Sequence, residues 1–245
     1  MSLCGEKLPA QPGKEREALA TWLTQLLSMV SAGAMLVSTS LDTLAPQHNQ
    51  KGLLFLINRQ WRVSETFEPS LRMADVPGQL RRMREDASYA LEEMFAACKM
   101  ETGIRLETVS GYRSYQKQEN IYNNKLRSVG TEEKADEYVA RPGASEHQMG
   151  LAMDVSQDSD MVNLTSAFGR TRGGLWIREN CWRFGFILRY DEGWEDVTGY
   201  EYEPWHVRYV GKEYAARLHE SPMPLETFLI LHRTETMLDL LVREK

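Results

Sequence analysis

Helical and alternating apolar periodicities succeed one another along this 245-residue chain without βαβ regularity, and that pattern predicts an α+β fold. The length suits one domain with extra terminal segments better than two full domains. Hydrophobic residues make up 42% and charged residues 26%, the composition of a soluble globular chain. A net charge of −6 argues against nucleic acid or an anionic membrane surface as the main partner, because both demand clustered Lys and Arg.

Residues 18–45 are apolar but interrupted by Ser, Thr and Gln, and they follow Lys7, Lys14 and Arg16. With Thr43-Leu44-Ala45 before Pro46 as a small-residue cleavage site, residues 1–45 read as an export signal or an uncleaved anchor. Glu15 and Glu17 favour the competing reading, an N-terminal amphipathic helix packed on the domain. Residues 46–76 read as irregular around one short apolar run, Leu53 to Ile57, expected to be a strand.

From Pro77 to Met100 the apolar positions Leu80, Met83, Ala87, Leu91, Met94, Phe95 and Cys98 recur at helical spacing, with Asp75 as cap and Gly103 as stop. Ile104 to Val109 alternates as a strand would. A polar helix is expected over 115–129, closed by Gly130, and another after the Thr131 cap. Leu151–Val155 reads as a strand, 159–169 and 174–184 as helices, and Phe186–Tyr190 and Pro204–Val210 as strands. Gly211–His219 and an amphipathic tail from Leu225 to Val242 complete the pattern as helices. Of the three cysteines, Cys98 and Cys181 sit in helix-like apolar stretches where small buried thiols are expected, and a bridge between them stays open.

Two strings carry chemistry: Ser145-Glu146-His147-Gln148-Met149-Gly150-Leu151-Ala152-Met153-Asp154, and Glu203-Pro204-Trp205-His206. Catalytic zinc takes about three protein N or O ligands and keeps a position for water. His147, Asp154 and His206 supply such a set, with Glu203 left off the metal to hold the water as base. Strand alternation puts Ala152 and Asp154 on one face and Leu151, Met153 and Val155 toward the core. Gly150 keeps side-chain bulk away from the metal, and Glu203 and His206 converge only if the chain bends, with Pro204 as the natural place. A histidine flanked by apolar residues is also the pattern of a satisfied core imidazole, and spacing alone does not choose. His48, His219 and His232 lack comparable neighbours and read as structural or exposed.

S-x-H-x-x-G-x-A-x-D followed by E-P-W-H resembles the signature of the LAS zinc metallopeptidases, which include VanY-type D-alanyl-D-alanine carboxypeptidases, VanX-type dipeptidases and, structurally, the Hedgehog signalling domain. The likeness extends through SGYRSYQKQ (110–118), ARPGASEHQMGLAMDVS (140–156), GFILRY (185–190) and TGYEYEPWHVRYVG (198–211), and covers residues 53–230. It implies a small central antiparallel sheet flanked by helices, with a peptidase domain over 46–230 and a helical tail over 231–245. One Zn2+ per chain would be held by His147, Asp154 and His206, with Glu203 as catalytic base and Arg113 stabilising the oxyanion. Ser145, Gln118 and Trp205 fall on positions that contact or frame substrate, although each can also serve packing or backbone groups.

The implied reaction releases the C-terminal D-alanine of a peptidoglycan stem peptide or its precursor, with the D,D bond of pentapeptide stems expected. An L,D-carboxypeptidase acting on tetrapeptide stems uses much the same motifs, and a non-catalytic zinc-containing wall-binding module is the reading from another class. Intact Glu203 and Arg113 speak against the latter. The substrate implies an exported bacterial enzyme at the cell envelope or outside it, touching the membrane only through an N-terminal anchor. If residues 1–45 form a packed helix instead, a cytoplasmic role on precursors follows.

Overall fold

The computed structural model describes residues 52–157 and 164–243, so the expectations for residues 1–45, for His48 and for 158–163 lie outside the described part. A two-residue ladder of β1 (Arg72–Met73) and β2 (Arg82–Met83) leads into α1 (Glu85–Thr102). This helix starts eight residues later than the periodicity predicts, and Asp75 does not cap it. The backbone of 77–82 is committed elsewhere. Pro77 O accepts from Thr108 N–H (3.0 Å), Gln79 N–H donates to Thr108 O (2.8 Å), and Leu80 O and Arg82 O accept from Gly111 and Tyr112. Positive φ at Gly78 (112°) and Leu80 (44°) breaks any helix there. The end falls where expected: Gly103 is left-handed and its N–H caps Lys99 O at 2.9 Å.

β3 (Leu106–Ser110) is followed by α2 (Tyr115–Val129) and the short α3 (Glu132–Asp136). Ser114 Oγ accepts from Lys117 N–H and Thr131 Oγ1 from Lys134 N–H, so both helices begin on side-chain caps, the second being the Thr131 cap that sequence predicts. A 3-10 turn, Glu146–Met149, runs into β4 (Ala152–Gln157). Within the expected 159–169 helix, the described residues form only a 3-10 turn, Ser166–Arg170. α4 (Arg172–Asn180) tightens into a 3-10 turn, Cys181–Phe184, that ends at left-handed Gly185. β5 (Phe186–Leu188), α5 (Glu195–Thr198), β6 (His206–Tyr209), α6 (Lys212–Glu220) and α7 (Leu225–Arg243) complete the fold.

The central sheet is antiparallel throughout, in the order β3-β4-β6-β5. Its main core lies against α1, where Ala87, Leu91, Met94 and Cys98 meet Leu151, Met153 and Val155. A second cluster joins Ile187 and Val210 to Ala215, Leu218, Leu225 and Phe228 on α6 and α7. Leu53–Ile57 is not a strand. Its alternation is used differently, with Phe55 and Ile57 in the main core and Leu54 and Leu56 against the second cluster. The Arg208 guanidinium satisfies Leu53 O (2.9 Å) and Phe55 O (3.0 Å) in place of a ladder. Cys98 and Cys181 are buried free thiols, and burial pushes Cys181 up to about 12. No helix among the described residues is long and apolar enough to cross a membrane.

Candidate metal centre and active site

Register builds the centre. Antiparallel pairing sets Asp154 of β4 opposite His206 of β6, so both side chains emerge on one face, and their Oδ1 and Nδ1 atoms stand 3.2 Å apart. The 3-10 turn before β4 folds His147 back over that strand, with its Nε2 at 3.3 Å from Asp154 Oδ2. Ser145 Oγ caps this turn by accepting from His147 N–H at 3.4 Å. Gly150 ends it in the left-handed region at φ 68°. The space a Cβ would claim at Gly150 is held by Leu71 and by Arg84 N at 3.1 Å, so the glycine answers backbone geometry and close packing rather than the metal site.

All three groups are buried, the imidazole rings stand perpendicular with centroids 4.9 Å apart, and one ligand atom from each lies within 4.8 Å of the others. Hydrogen bonding fixes which atoms face inward. His147 Nδ1 lies 2.8 Å from Gly111 O, an acceptor only, so Nδ1 carries the proton and Nε2 presents a lone pair. His206 Nε2 lies 3.2 Å from Glu146 Oε2, which leaves its Nδ1 facing the same point. Both His147 Nε2 and Asp154 Oδ1 are buried without a hydrogen-bond partner. Two imidazole nitrogens and a carboxylate oxygen converging on one point fit a divalent cation of the zinc type.

Burial pushes the His147 imidazole down to about 4, and the neighbouring Arg113 adds to that push. For His206 burial also disfavours the charge, but Asp154 and Glu146 outweigh it and hold the ring up to about 9. The cleft desolvates the Glu203 carboxyl and lifts it to about 7, against the downward pull of His206. Asp154 sits well below the ordinary carboxylate range, because the two imidazoles overcome its burial.

Glu203 reaches the centre through the bend foreseen at Pro204. His206 N–H donates to Glu203 O at 3.1 Å, closing the turn and bringing Glu203 Oε2 within 3.6 Å of His206 Nδ1. Arg113 lies in the same cleft, its backbone N–H donating to His147 O at 3.2 Å and its buried Nε without a partner. Gly111 of the G-Y-R block is required by packing: a Cβ there would fall 2.5 Å from Leu80 O and 2.6 Å from Arg82 O. Gln118 is fully buried, with Nε2 donating to Ala140 O at 2.7 Å and Oε1 unpartnered at the cleft. Trp205 lines the cleft and also packs on the main core. All eight residues singled out from sequence therefore line one cleft. His219 and His232 lie outside it: His219 stacks on Trp182 (4.4 Å) and His232 on Phe228 (5.7 Å).

Sequence reasoning missed Glu146, Tyr190 and Tyr200. Glu146 is fully buried beside Arg189 Nε (2.8 Å), Arg208 Nη1 (3.0 Å) and His206, and these charges hold it far below its ordinary pKa despite burial. The available signal was an arginine at the end of one apolar strand and another within the next, Arg189 and Arg208, since a buried guanidinium demands a carboxylate. The Tyr190 ring lies 4.9 Å from that of His206, and the Tyr200 hydroxyl is buried at the cleft without a partner. Nothing in their neighbours marks either tyrosine.

An antiparallel sheet that presents two imidazoles and a carboxylate to one point, beside a second carboxylate and a guanidinium, is the arrangement of a metal-dependent hydrolase. Residues 80–212 match the VanY family, described as D-alanyl-D-alanine carboxypeptidase, and the chain belongs to that family. It is 45% identical over 194 residues to the putative carboxypeptidase YodJ of Bacillus subtilis (strain 168), covering 76% of this chain and 70% of that one. Among solved structures it resembles the LdcB LD-carboxypeptidase, at TM-score 0.69 and 45% identity over 74% of this chain and 86% of the other. It also resembles the vancomycin-resistance D,D-pentapeptidase VanY solved with Zn(II), at TM-score 0.61 and 33% identity over 72% and 98% of the respective chains. The chain is accordingly a carboxypeptidase of the VanY type with a small antiparallel sheet between helices.

Proposed function

We propose that this protein is a zinc-dependent carboxypeptidase that releases the C-terminal D-alanine from peptidoglycan stem peptides. The observation that carries the reading is the convergence of His147 Nε2, Asp154 Oδ1 and His206 Nδ1 on one point next to Glu203. Zinc held by these atoms, one ion per chain, would supply Lewis acidity toward water and a peptide carbonyl. Glu203 takes the proton of the attacking water and delivers it to the leaving amine as the C–N bond breaks, a task suited to a carboxyl poised near neutrality. Arg113, fixed in the cleft with an unpartnered Nε–H, holds the charge that develops on the carbonyl oxygen. Gln118 Oε1 and the Ser145 hydroxyl orient the peptide, and Trp205 forms a wall of the cleft.

Two scissile bonds compete. Cleavage between an L-residue and D-alanine in a tetrapeptide stem is the better supported, because the chain is 45% identical to an LD-carboxypeptidase. The D,D bond is the second reading, favoured by the family description and by the 33%-identical D,D-pentapeptidase. D-alanine release from tetrapeptide and pentapeptide stems, each with and without a chelator, tests both. Release from the tetrapeptide, abolished by chelation and restored by zinc, is the expected result. Pentapeptide cleavage alone transfers the assignment to D,D, and chelator-insensitive release removes zinc from it. Such a substrate places the enzyme outside the membrane, which fractionation with N-terminal sequencing tests; recovery in the cytosol with residue 1 intact contradicts it.

A further inference from the structure

The His206 ring can present Nδ1 to the ligand point only while Nε2 keeps its proton directed at Glu146 Oε2. What holds Glu146 is therefore part of the site. Its other oxygen, Oε1, accepts from Arg189 Nε at 2.8 Å and forms an ion pair with Arg208 Nη1 at 3.0 Å, and its side chain is fully buried. The two arginines are secured differently. Arg208 is anchored on backbone, giving Nη2 to Leu53 O and Phe55 O and Nε to Tyr209 O. Arg189 has both terminal amines committed to one carboxylate, with Nη1 donating to Glu226 Oε2 at 3.0 Å and Nη2 to Glu226 Oε1 at 2.6 Å. Glu226 stands in the first turn of α7, beyond the residues that match the family.

We propose that Glu226 is a positioning residue for His206, acting through Arg189 and Glu146, so that α7 belongs to the functional unit. Without the Glu226 carboxylate, two buried N–H donors lose their acceptor. The charged acceptor that remains beside Arg189 is Glu146, whose Oε2 is the atom that His206 uses. Competition for Oε2 loosens the imidazole. Charge acts in the same direction: two carboxylates now balance two guanidiniums, and losing one leaves an excess positive charge beside a site that must accept a cation. A bidentate fork suits this task because it fixes the guanidinium plane as well as its position.

The inference rests on His206 being a zinc ligand, and its test separates the two. The full chain, stripped of metal, is titrated with zinc against a chromophoric chelator; its cobalt(II) visible spectrum and metal-free melting temperature are recorded alongside. Glu226→Gln should weaken zinc by about 10–100-fold, the usual effect of losing an outer partner of a ligating histidine, and should alter the cobalt spectrum. Leu225→Ala, which loosens α7 in the second cluster without touching the ion pairs, should lower the metal-free melting temperature while leaving zinc affinity within about twofold. A folded Glu226→Gln protein with wild-type affinity and cobalt spectrum overturns the inference, as does a Leu225→Ala protein that loses as much affinity. Arg189→Lys keeps the charge but not the fork, and carries the same test if Glu226→Gln does not fold: unchanged zinc affinity rejects the proposal. A wild-type chain that binds no zinc overturns the zinc reading and this inference with it.

Discussion

Glu203 and His206 are three residues apart, a spacing that points side chains to opposite faces of a regular strand. They meet because the chain turns through Pro204 and Trp205 before β6 begins, with His206 N–H closing the turn on Glu203 O. The carboxylate is thereby held beside the three inward-facing atoms without being one of them. Glu203→Gln is nearly isosteric and cannot accept the water's proton, so it should retain zinc in full stoichiometry while kcat falls by about 10²–10⁴-fold. Metal content and D-alanine release measured on the same sample check this, and an active Glu203→Gln enzyme removes the base from Glu203. At this scale the sequence was legible where the cleft is local: the three converging groups and the carboxylate beside them fall in two short strings. Glu146 was not legible, although it lies inside one of them, because its partners Arg189 and His206 are 43 and 60 residues away. A buried charge is explained only by what the fold brings to it.

Helix caps carried the elements. Ser114, Thr131, Gly103 and Gly130 mark boundaries that backbone hydrogen bonding demands, and the helices they bound end where sequence places them. The failures share a cause. Residues 77–82 and 53–57 have the apolar spacing of a helix and a strand, yet their backbone groups are taken by distant partners, β3 in one case and the Arg208 side chain in the other. Apolar periodicity reports which side chains are buried, not which backbone groups pair. Between α2 and the cleft, Asp136 joins two elements, accepting from Tyr122 Oη (2.9 Å) and from Arg141 Nε and Nη2 (2.9 and 2.8 Å). Burial alone would raise this carboxyl, but Arg141 and Tyr122 overcome it and hold it below its ordinary value. A lowered folded pKa means that the unfolded chain binds the proton first as pH falls. The stabilisation is therefore whole above the unfolded carboxyl pKa of about 4 and is lost as pH drops through the folded one. Asp136→Asn should cost about 1–3 kcal/mol in urea unfolding at pH 7. That difference should shrink steadily below about pH 4, and a gap independent of pH refutes the linkage.

Across the whole molecule, an α+β class without βαβ regularity was readable from the chain, whereas the strand order β3-β4-β6-β5 was not. β6 inserts between β4 and β5 although β5 comes first in sequence, and only that crossover sets His206 against Asp154. The centre thus ties β6 to β4 and to the turn just before β4, across about fifty residues of chain. A ligand that binds only when all three are in place stabilises the folded state by mass action: at free zinc about 100 times its dissociation constant the gain is about 2.7 kcal/mol. For a folded body of this size each kcal/mol is worth about 2–4 °C, so zinc should raise the melting temperature by about 5–10 °C over the chelated protein. The metal-free cluster magnifies the contrast, since it leaves His147 Nε2 and Asp154 Oδ1 buried without partners. Calorimetry of the same preparation with chelator, then with zinc restored, measures the shift, and His147→Ala is the control in which it should collapse. If the transition does not move with zinc, or moves equally in His147→Ala, the ion is not held by these strands.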